Sequence, residues 1–125
     1  MNIIVTGASG AVGSKLINIF KNKFDNIIAI ERTGQKNNIE NVYYYICDDL
    51  SNQDLVKKIF KTIFDQFDSI DALINVAGGF DMGTNVENIS DWNTMLDINF
   101  YSMLNTTVSV LPHMKKNKFG RIINF

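Results

Sequence analysis

Glycine and other small residues are concentrated in one short turn near the start of the chain. Gly7, Gly10 and Gly13 recur there at intervals of three residues. Such a turn needs backbone angles that glycine adopts at little energetic cost. A helix that begins at the turn presents backbone N–H groups to a phosphate, which side chains would otherwise keep away. The spacing therefore predicts a pyrophosphate-binding turn in which Gly13 also lets the helix pack closely on the sheet. A tight turn without a ligand is the alternative.

An acidic residue follows the second apolar run of the chain. Glu31 lies 18 residues after Gly13, about where a nucleotide-binding fold places a carboxylate on the adenosine ribose. A carboxylate accepts hydrogen bonds from both ribose hydroxyls and repels a 2′-phosphate, so it favours NAD over NADP. The neighbouring Arg32 keeps NADP open, because a guanidinium can pair with that phosphate or stack on adenine. Without the glycine turn, the same two residues would be an ordinary solvated pair.

Alternating apolar segments must position these residues. Buried strands are predicted at residues 3–5, 27–30, 42–46, 72–74 and 121–125, with a polar loop over residues 34–41. Amphipathic helices separate most of them, and Val12 belongs to the buried stripe of the first. Strands that are apolar throughout and alternate with helices form parallel sheets covered on both faces. The predicted fold class is therefore α/β, with a doubly wound parallel sheet in three layers.

The limits of the later helices follow from polar residues and proline. Asp49 or Ser51 can cap the second helix. Ser90 can cap a long third helix that runs towards Lys115, and Pro112 is expected to kink or end it.

Composition excludes several classes of function. Twelve basic residues against thirteen acidic ones leave a net charge of −1, so neither nucleic acid nor an anionic membrane is an expected partner. No apolar run approaches the ~20 residues of a membrane span. A single cysteine, Cys47, fits a reducing compartment, and we expect a cytoplasmic protein. With one cysteine and one histidine, no metal site is expected.

The turn resembles the signature of the short-chain dehydrogenases/reductases, which have Thr-Gly after the first strand and then Gly-x-Gly. Ala11 stands where the ordinary branch has its middle glycine, and Gly10 gives a spacing similar to the extended branch and to dihydropteridine reductases. The resemblance implies a Rossmann-type fold over residues 1–125, which form one NAD(P)-binding domain truncated after the fifth strand. The cofactor would be NAD, with NADP possible.

Two further segments resemble the family. Residues 46–51 match its Asp-Leu-Ser segment, in which Asp49 would accept from the adenine amino group and Leu50 would flank the ring; Asp49 can also be only a cap. Residues 70–79 match its Asp-x-Leu-Val-Asn-Asn-Ala-Gly segment, in which Asn75 would bond to the backbone of neighbouring strands; a plain glycine turn is the alternative. Cys47 is interpreted as buried and inert. The implied cofactor-binding residues are Gly7, Ser9, Gly10, Ala11, Val12, Gly13, Glu31, Arg32, Asp49, Leu50, Asn75, Ala77 and Gly78.

One polar residue interrupts an apolar stripe on the third helix. Asn99 shares a face with Trp92, Leu96 and Met103, and burying an unpaired amide costs roughly 1–3 kcal/mol. Residues 92–100 resemble the family's Trp-Asp-x-x-x-x-Val-Asn-Leu segment, whose asparagine joins Ser, Tyr and Lys in a catalytic tetrad. The resemblance implies that Asn99 positions a proton-relaying water, whereas a structural asparagine is the alternative. The lone His113 is expected to be an exposed residue at the helix end.

The remaining tetrad residues are absent. No Tyr-x-x-x-Lys occurs in the 125 residues, and no Ser-Ser follows the fifth strand. The interpretation is a fragment of an NAD(P)-dependent oxidoreductase that moves hydride between nicotinamide and a small carbonyl or alcohol substrate, and that is inactive alone. A non-catalytic dinucleotide-binding module is the alternative, and a homo-oligomer is possible in either case.

Overall fold

A computed structural model describes residues 1–34, 38–80, 83 and 87–125. Within these ranges five parallel strands form one sheet in the order β3-β2-β1-β4-β5. The strands are β1 (Asn2–Thr6), β2 (Asn26–Glu31), β3 (Val42–Ile46), β4 (Ala72–Asn75) and β5 (Arg121–Asn124). The helices are α1 (Ala11–Phe20), α2 (Gln53–Gln66), α3 (Ile89–Leu96) and α4 (Ser102–Lys116), with a π-helical turn (Asp97–Tyr101) between the last two. The predicted loop over residues 34–41 lies partly outside the described residues.

Isoleucine and valine fill the centre of the sheet, where strands are covered on both faces. Val5 of β1 pairs with Ala29 of β2 on one side and with Ile74 of β4 on the other. Ile4 and Val5 are fully buried. The first strand thus lies in the middle of the sheet, and the predicted doubly wound α/β architecture is confirmed.

Helices cover the two faces of this sheet with separate apolar cores. On one face Phe60 and Ile63 of α2 pack with Val110 of α4 against the sheet. On the other face Ile17 of α1 packs against alternate residues of β1 and β2. The predicted stripe of α1 is wrong at Val12, which is 46% exposed because it faces a cleft rather than this core.

Helix limits differ from the predicted ones because neighbouring asparagines take the cap positions. Asn52, not Asp49 or Ser51, caps α2 by accepting from the backbone N–H of the second and third residues that follow it. Asn88, not Ser90, caps α3, and its side chain accepts from both the backbone and the hydroxyl of Ser90. Both asparagines have the extended backbone that a cap position requires.

The long third helix of the sequence prediction is interrupted by the π-helical turn, and Pro112 does not end it. Pro112 lies inside α4, which continues to Lys116. A proline removes the bond to the carbonyl four residues earlier, and that residue, Val108, is on the exposed side, where water can replace the bond.

The face expected to be buried along α3 is open to solvent. Trp92 and Leu96 are about half exposed, as are several apolar residues of the π-helical turn and β5. The prediction of a buried stripe was wrong because no described element packs over this face. None of the helices in the described residues has the length and apolar character needed to span a membrane.

Candidate dinucleotide-binding site

A cleft of about 440 Å³ opens at the carboxyl ends of β1, β2 and β4. Most of the residues predicted to bind a cofactor line it, whereas Gly13 and Asn75 do not, and neither does Asn99, the predicted catalytic residue. The lining residues among the predicted set are Gly7, Ser9, Gly10, Ala11, Val12, Glu31, Arg32, Asp49, Leu50, Ala77 and Gly78. The lining residues that the sequence analysis did not single out for this role include Ile30, Asp48, Ser51, Val76, Gly79, Ile98 and Ser102.

The glycines of the turn are required by close backbone contacts. Gly7 has a φ of +65°, and a Cβ there would lie 2.7 Å from the backbone nitrogen of Ala77. A Cβ on Gly13 would lie 2.2 Å from the carbonyl oxygen of Gly7, so Gly13 lets the helix pack on the turn itself. Gly10 is the N-cap of α1 and has no side chain to occupy the first N–H groups of the helix. The turn therefore presents bare backbone to the cleft.

Thr6 joins this turn to the loop after β4, a role the sequence analysis missed. Its Oγ1 accepts hydrogen bonds from the backbone N–H groups of Val76 and Ala77, each at 3.1 Å. Thr6 itself is buried. A hydroxyl at the end of an otherwise apolar buried strand was the signal available in the sequence, since a buried hydroxyl needs a partner.

Glu31 and Arg32 lie at the opposite side of the cleft from the β4 loop. Glu31 is only 3% exposed, and its backbone carbonyl accepts from Cys47 N–H at 2.8 Å. Burial and the nearby Glu31 carboxylate raise the pKa of the Tyr44 hydroxyl. Arg32 is exposed at the rim. A largely buried carboxylate and an exposed guanidinium thus flank the end of β2.

The loop after β3 presents Asp49 through a short side-chain turn. Asp49 Oδ1 accepts from the backbone N–H of Ser51 at 2.8 Å and from its hydroxyl at 2.7 Å. The prediction that Asp49 caps a helix is therefore wrong, because this turn precedes the N-cap. Asn105 of α4 donates to the carbonyls of Leu50 and Ser51, a contact that could not be read from the sequence.

Cys47 is buried beneath this loop, as expected. Burial raises the pKa of its thiol, and the carboxylates of Asp48 and Asp49 also raise it. The Sγ donates to the Asp49 carbonyl at 3.5 Å. A buried thiol with a raised pKa is protonated at neutral pH and a poor nucleophile.

Asn75 organises the sheet edge through side chains, not through the backbone of neighbouring strands as predicted. Its Nδ2 donates to Asn124 Oδ1 at 2.9 Å and to Thr107 Oγ1 at 3.3 Å, and its Oδ1 accepts from Thr106 Oγ1 at 2.8 Å. These partners belong to β5 and α4, so Asn75 ties both elements to β4. It is buried behind the cleft, and the structure does not bring it to the cleft surface.

Asn99 lies in the π-helical turn and is exposed, not part of a buried stripe. Its Nδ2 donates to the carbonyls of Gly79 and Met95, both at 2.9 Å, and its Oδ1 accepts from Gly79 N–H at 3.0 Å. A Cβ on Gly78 would lie 2.7 Å from Asn99 Oδ1, which explains the small residue there. Asn99 therefore fastens the loop after β4 to the helix.

The prediction of an exposed His113 is wrong. Its ring is partly buried and stacks on Phe64, with centroids 4.3 Å apart and ring planes within 4° of each other. Its Nε2 is buried and has no hydrogen-bond partner among the described residues. Burial lowers the pKa of the imidazole, and Lys116 lowers it further.

Comparison with known proteins places the chain in a family and shows the same fold in solved structures. The profile of the family described as short chain dehydrogenase matches residues 1–125. An uncharacterized oxidoreductase of Staphylococcus saprophyticus is 31% identical over 98% of this chain and 52% of its own length. The NADP-dependent 3-hydroxy acid dehydrogenase of Escherichia coli is 28% identical over 99% of this chain and 53% of its own.

A solved structure, the closed form of serine dehydrogenase complexed with NADP+, has 27% sequence identity and a TM-score of 0.88 over 99% of this chain and 53% of its own. This chain spans about half the length of the curated relatives it matches. The family profile covers the whole sequence, and the chain belongs to the short-chain dehydrogenase family.

Proposed function

We propose that residues 1–125 form one dinucleotide-binding domain, incomplete at its carboxyl end, of an NAD(P)-dependent oxidoreductase. The complete enzyme would transfer hydride between nicotinamide and a small carbonyl or alcohol substrate, in the cytoplasm and as a possible homo-oligomer. The observation that carries the proposal is the bare backbone of Gly7 and Gly10 at the cleft, next to the first turn of α1. A helix N-terminus stripped of side chains suits a pyrophosphate.

The cleft residues divide by the part of a dinucleotide that each would hold. The segment from Ser9 to Val12 would bind the pyrophosphate through backbone N–H groups. Glu31 and Arg32 would bind the adenosine ribose, and Asp49 with Leu50 would hold adenine. Ala77 and Gly78 would leave room for the ribose on the nicotinamide side. Gly13 and Asn75, which do not line the cleft, would shape the turn and the sheet edge.

NAD is the cofactor that we propose, with NADP as the competitor. Three acidic residues, Glu31, Asp48 and Asp49, line the same cleft as Arg32. A 2′-phosphate would meet this negative charge at close range, which disfavours its binding. The Escherichia coli relative is named as NADP-dependent and the serine dehydrogenase structure holds NADP+, so direct comparison of the two cofactors is needed.

A bound nicotinamide would supply the hydride chemistry, and Asn99 would take part in the accompanying proton transfer. Its amide donors are already used on Gly79 and Met95. Its Oδ1 accepts one hydrogen bond from Gly79, and an amide oxygen has two lone pairs. We assign the second lone pair to a water that relays protons, so that the same side chain holds the loop and orients the water.

A non-catalytic module that binds a dinucleotide without turnover is the second candidate. These 125 residues contain no Tyr-x-x-x-Lys, and the module would bind the dinucleotide through the same cleft. The DNA downstream of codon 125 separates the two candidates. An in-frame Ser-Ser and Tyr-x-x-x-Lys would support the enzyme, and their absence from the following coding sequence would support the module.

The test of cofactor binding is a fluorescence titration of the chain with NADH and NADPH. We expect saturable binding with NADH tighter than NADPH, and tighter NADPH binding would refute the NAD assignment. Gly13→Val should abolish binding, because any Cβ there would lie 2.2 Å from the Gly7 carbonyl oxygen.

Gly34→Ala is the matched control for this substitution. A Cβ on Gly34 would meet only the flexible end of the Ile46 side chain, at 3.1 Å, and Gly34 does not line the cleft. We expect it to bind NADH like the unaltered chain. Unchanged affinity in Gly13→Val would contradict the placement of the pyrophosphate.

A further inference from the structure

Asn105 is a buried polar residue of α4 that points away from its own helix to the loop after β3. Its Nδ2 donates to the Leu50 carbonyl at 3.0 Å and to the Ser51 carbonyl at 2.7 Å. A side-chain amide nitrogen has two N–H bonds, so both donors are used on two consecutive backbone carbonyls. Asn105 is 8% exposed, which places both bonds largely out of water. The bonds fix the direction of two adjacent peptide groups.

These two peptide groups flank Ser51, the residue that orients Asp49. Ser51 gives both its backbone N–H and its hydroxyl to Asp49 Oδ1. The Asp49 carboxylate is therefore held by a residue whose own carbonyl is held by Asn105. The second carboxylate oxygen is not needed for this turn, and Asp49 lines the cleft. A continuous set of hydrogen bonds thus links α4 to a carboxylate at the cleft surface.

We propose that Asn105 is a positioning residue for adenine recognition: it fixes the Leu50–Ser51 segment so that Asp49 accepts a hydrogen bond from the adenine amino group. The proposal rests on the proposed function, because it requires the adenine of a dinucleotide in the cleft. It differs from a general stabilising role in one measurable respect. Loss of Asn105 should reduce the selectivity for an amino group on the base, not merely the stability of the fold.

The experiment compares the affinity of the chain for NADH with that for its hypoxanthine analogue, which has a carbonyl oxygen in place of the amino group. A hydrogen bond to a charged acceptor favours NADH by about tenfold in the unaltered chain. Asn105→Ala should bind NADH more weakly and reduce the preference to about twofold or less. In an Asp49→Asn background, Asn105→Ala should cause no further loss of preference, since the two residues act in series.

The matched control is Asn117→Ala. Asn117 is the C-terminal cap of the same helix, and its Nδ2 also donates to a backbone carbonyl, that of Asp68, at 3.4 Å. It does not line the cleft, so its removal should leave the preference for NADH over the analogue unchanged. Circular dichroism of each variant checks that the fold is retained.

Several outcomes would overturn the proposal. They include an unaltered preference in Asn105→Ala, and equal binding of NADH and the analogue by the unaltered chain. If Asn105→Ala does not fold, Asn105→Leu retains the volume without the donors and takes its place. Failure of both to fold would make Asn105 a folding residue and overturn its specific role. Absence of NADH binding by the unaltered chain would instead refute the proposed function, which separates the two failures.

Discussion

The centre of the sheet and its β5 edge differ in how completely the chain covers them. In β1 and β2, Ile4, Val5 and Ile28 are fully buried, because a neighbouring strand lies on each side and helices cover both faces. At the β5 edge Ile123 is 48% exposed, and Trp92 of α3 is 49% exposed. The glycine turn follows β1 and therefore rests on the covered centre. The residues that shape the turn thus depend on a core that these 125 residues complete by themselves.

The largest expected effect separates the covered centre from the β5 edge by stability. Phe60 is 1% exposed in the core between α2 and the sheet, so Phe60→Ala should lower the free energy of unfolding by about 3–5 kcal/mol. Phe125 follows β5 and is 76% exposed, so Phe125→Ala should change it by less than about 0.5 kcal/mol. Urea denaturation measures both. Equal losses would show that the β5 edge is covered in solution.

Asn75 of β4 joins the β5 edge to the centre of the sheet, and its removal should have the next largest effect. Asn75→Ala leaves the buried Thr106 hydroxyl without one of its acceptors and Asn124 without its donor. We expect a loss of about 1–3 kcal/mol in the free energy of unfolding. Amide hydrogen exchange should show that β5 opens more readily than β1 in this variant. Uniform loss of protection in all strands would contradict a local role at the sheet edge.

The helix caps provide a matched pair, one on a helix packed on the covered core and one on an exposed helix. Asn52 caps α2, whose Phe60 and Ile63 are buried, whereas Asn88 caps α3, in which no residue is buried. Asn52→Ala should lower the free energy of unfolding by about 1 kcal/mol. Asn88→Ala should cost less, because a lightly packed helix can fray without unfolding the rest. Thermal denaturation monitored by circular dichroism tests the order, and a larger loss in Asn88→Ala would reverse it.

The smallest effect concerns pH and His113, which packs α4 against α2. Its pKa lies below the ordinary value of 6.5 because burial and Lys116 disfavour the charged ring, while Asp68 partly offsets them. The folded state therefore binds the proton less readily than the unfolded state. His113 costs no stability above pH 6.5, and stability is lost as the pH falls from there through the folded pKa. His113→Phe retains a ring on Phe64 and should remove this part of the decline in melting temperature. A profile identical to that of the unaltered chain would exclude His113 as its source.

Local patterns predicted the sheet, the turn and most of the cleft, because each depends on short-range chemistry. The β-branched runs mark β1 and β2, and the glycine spacing marks a turn in which a Cβ on Gly7 or Gly13 would clash. Asn75, Asn99 and Asn105 show where prediction stops. From the sequence, roles were assigned to Asn75 and Asn99 and none to Asn105, because most of their partners lie 20 or more residues away in the sequence. The exposure of the apolar face of α3 could not be predicted either, since periodicity identifies an apolar stripe without showing what packs on it.

The π-helical turn determines the directions in which the side chains of α4 point. A π-helical turn holds about one residue more than an α-helical turn, so it rotates the downstream helix by about 100° relative to a continuous helix. Asn99 within the turn and Asn105 after it consequently reach two different loops, one on each wall of the cleft. Deleting a single residue between them would leave the sequence helical and turn the Asn105 side chain away from Leu50. The spacing of six between the two asparagines is therefore as much a part of the site as their identities.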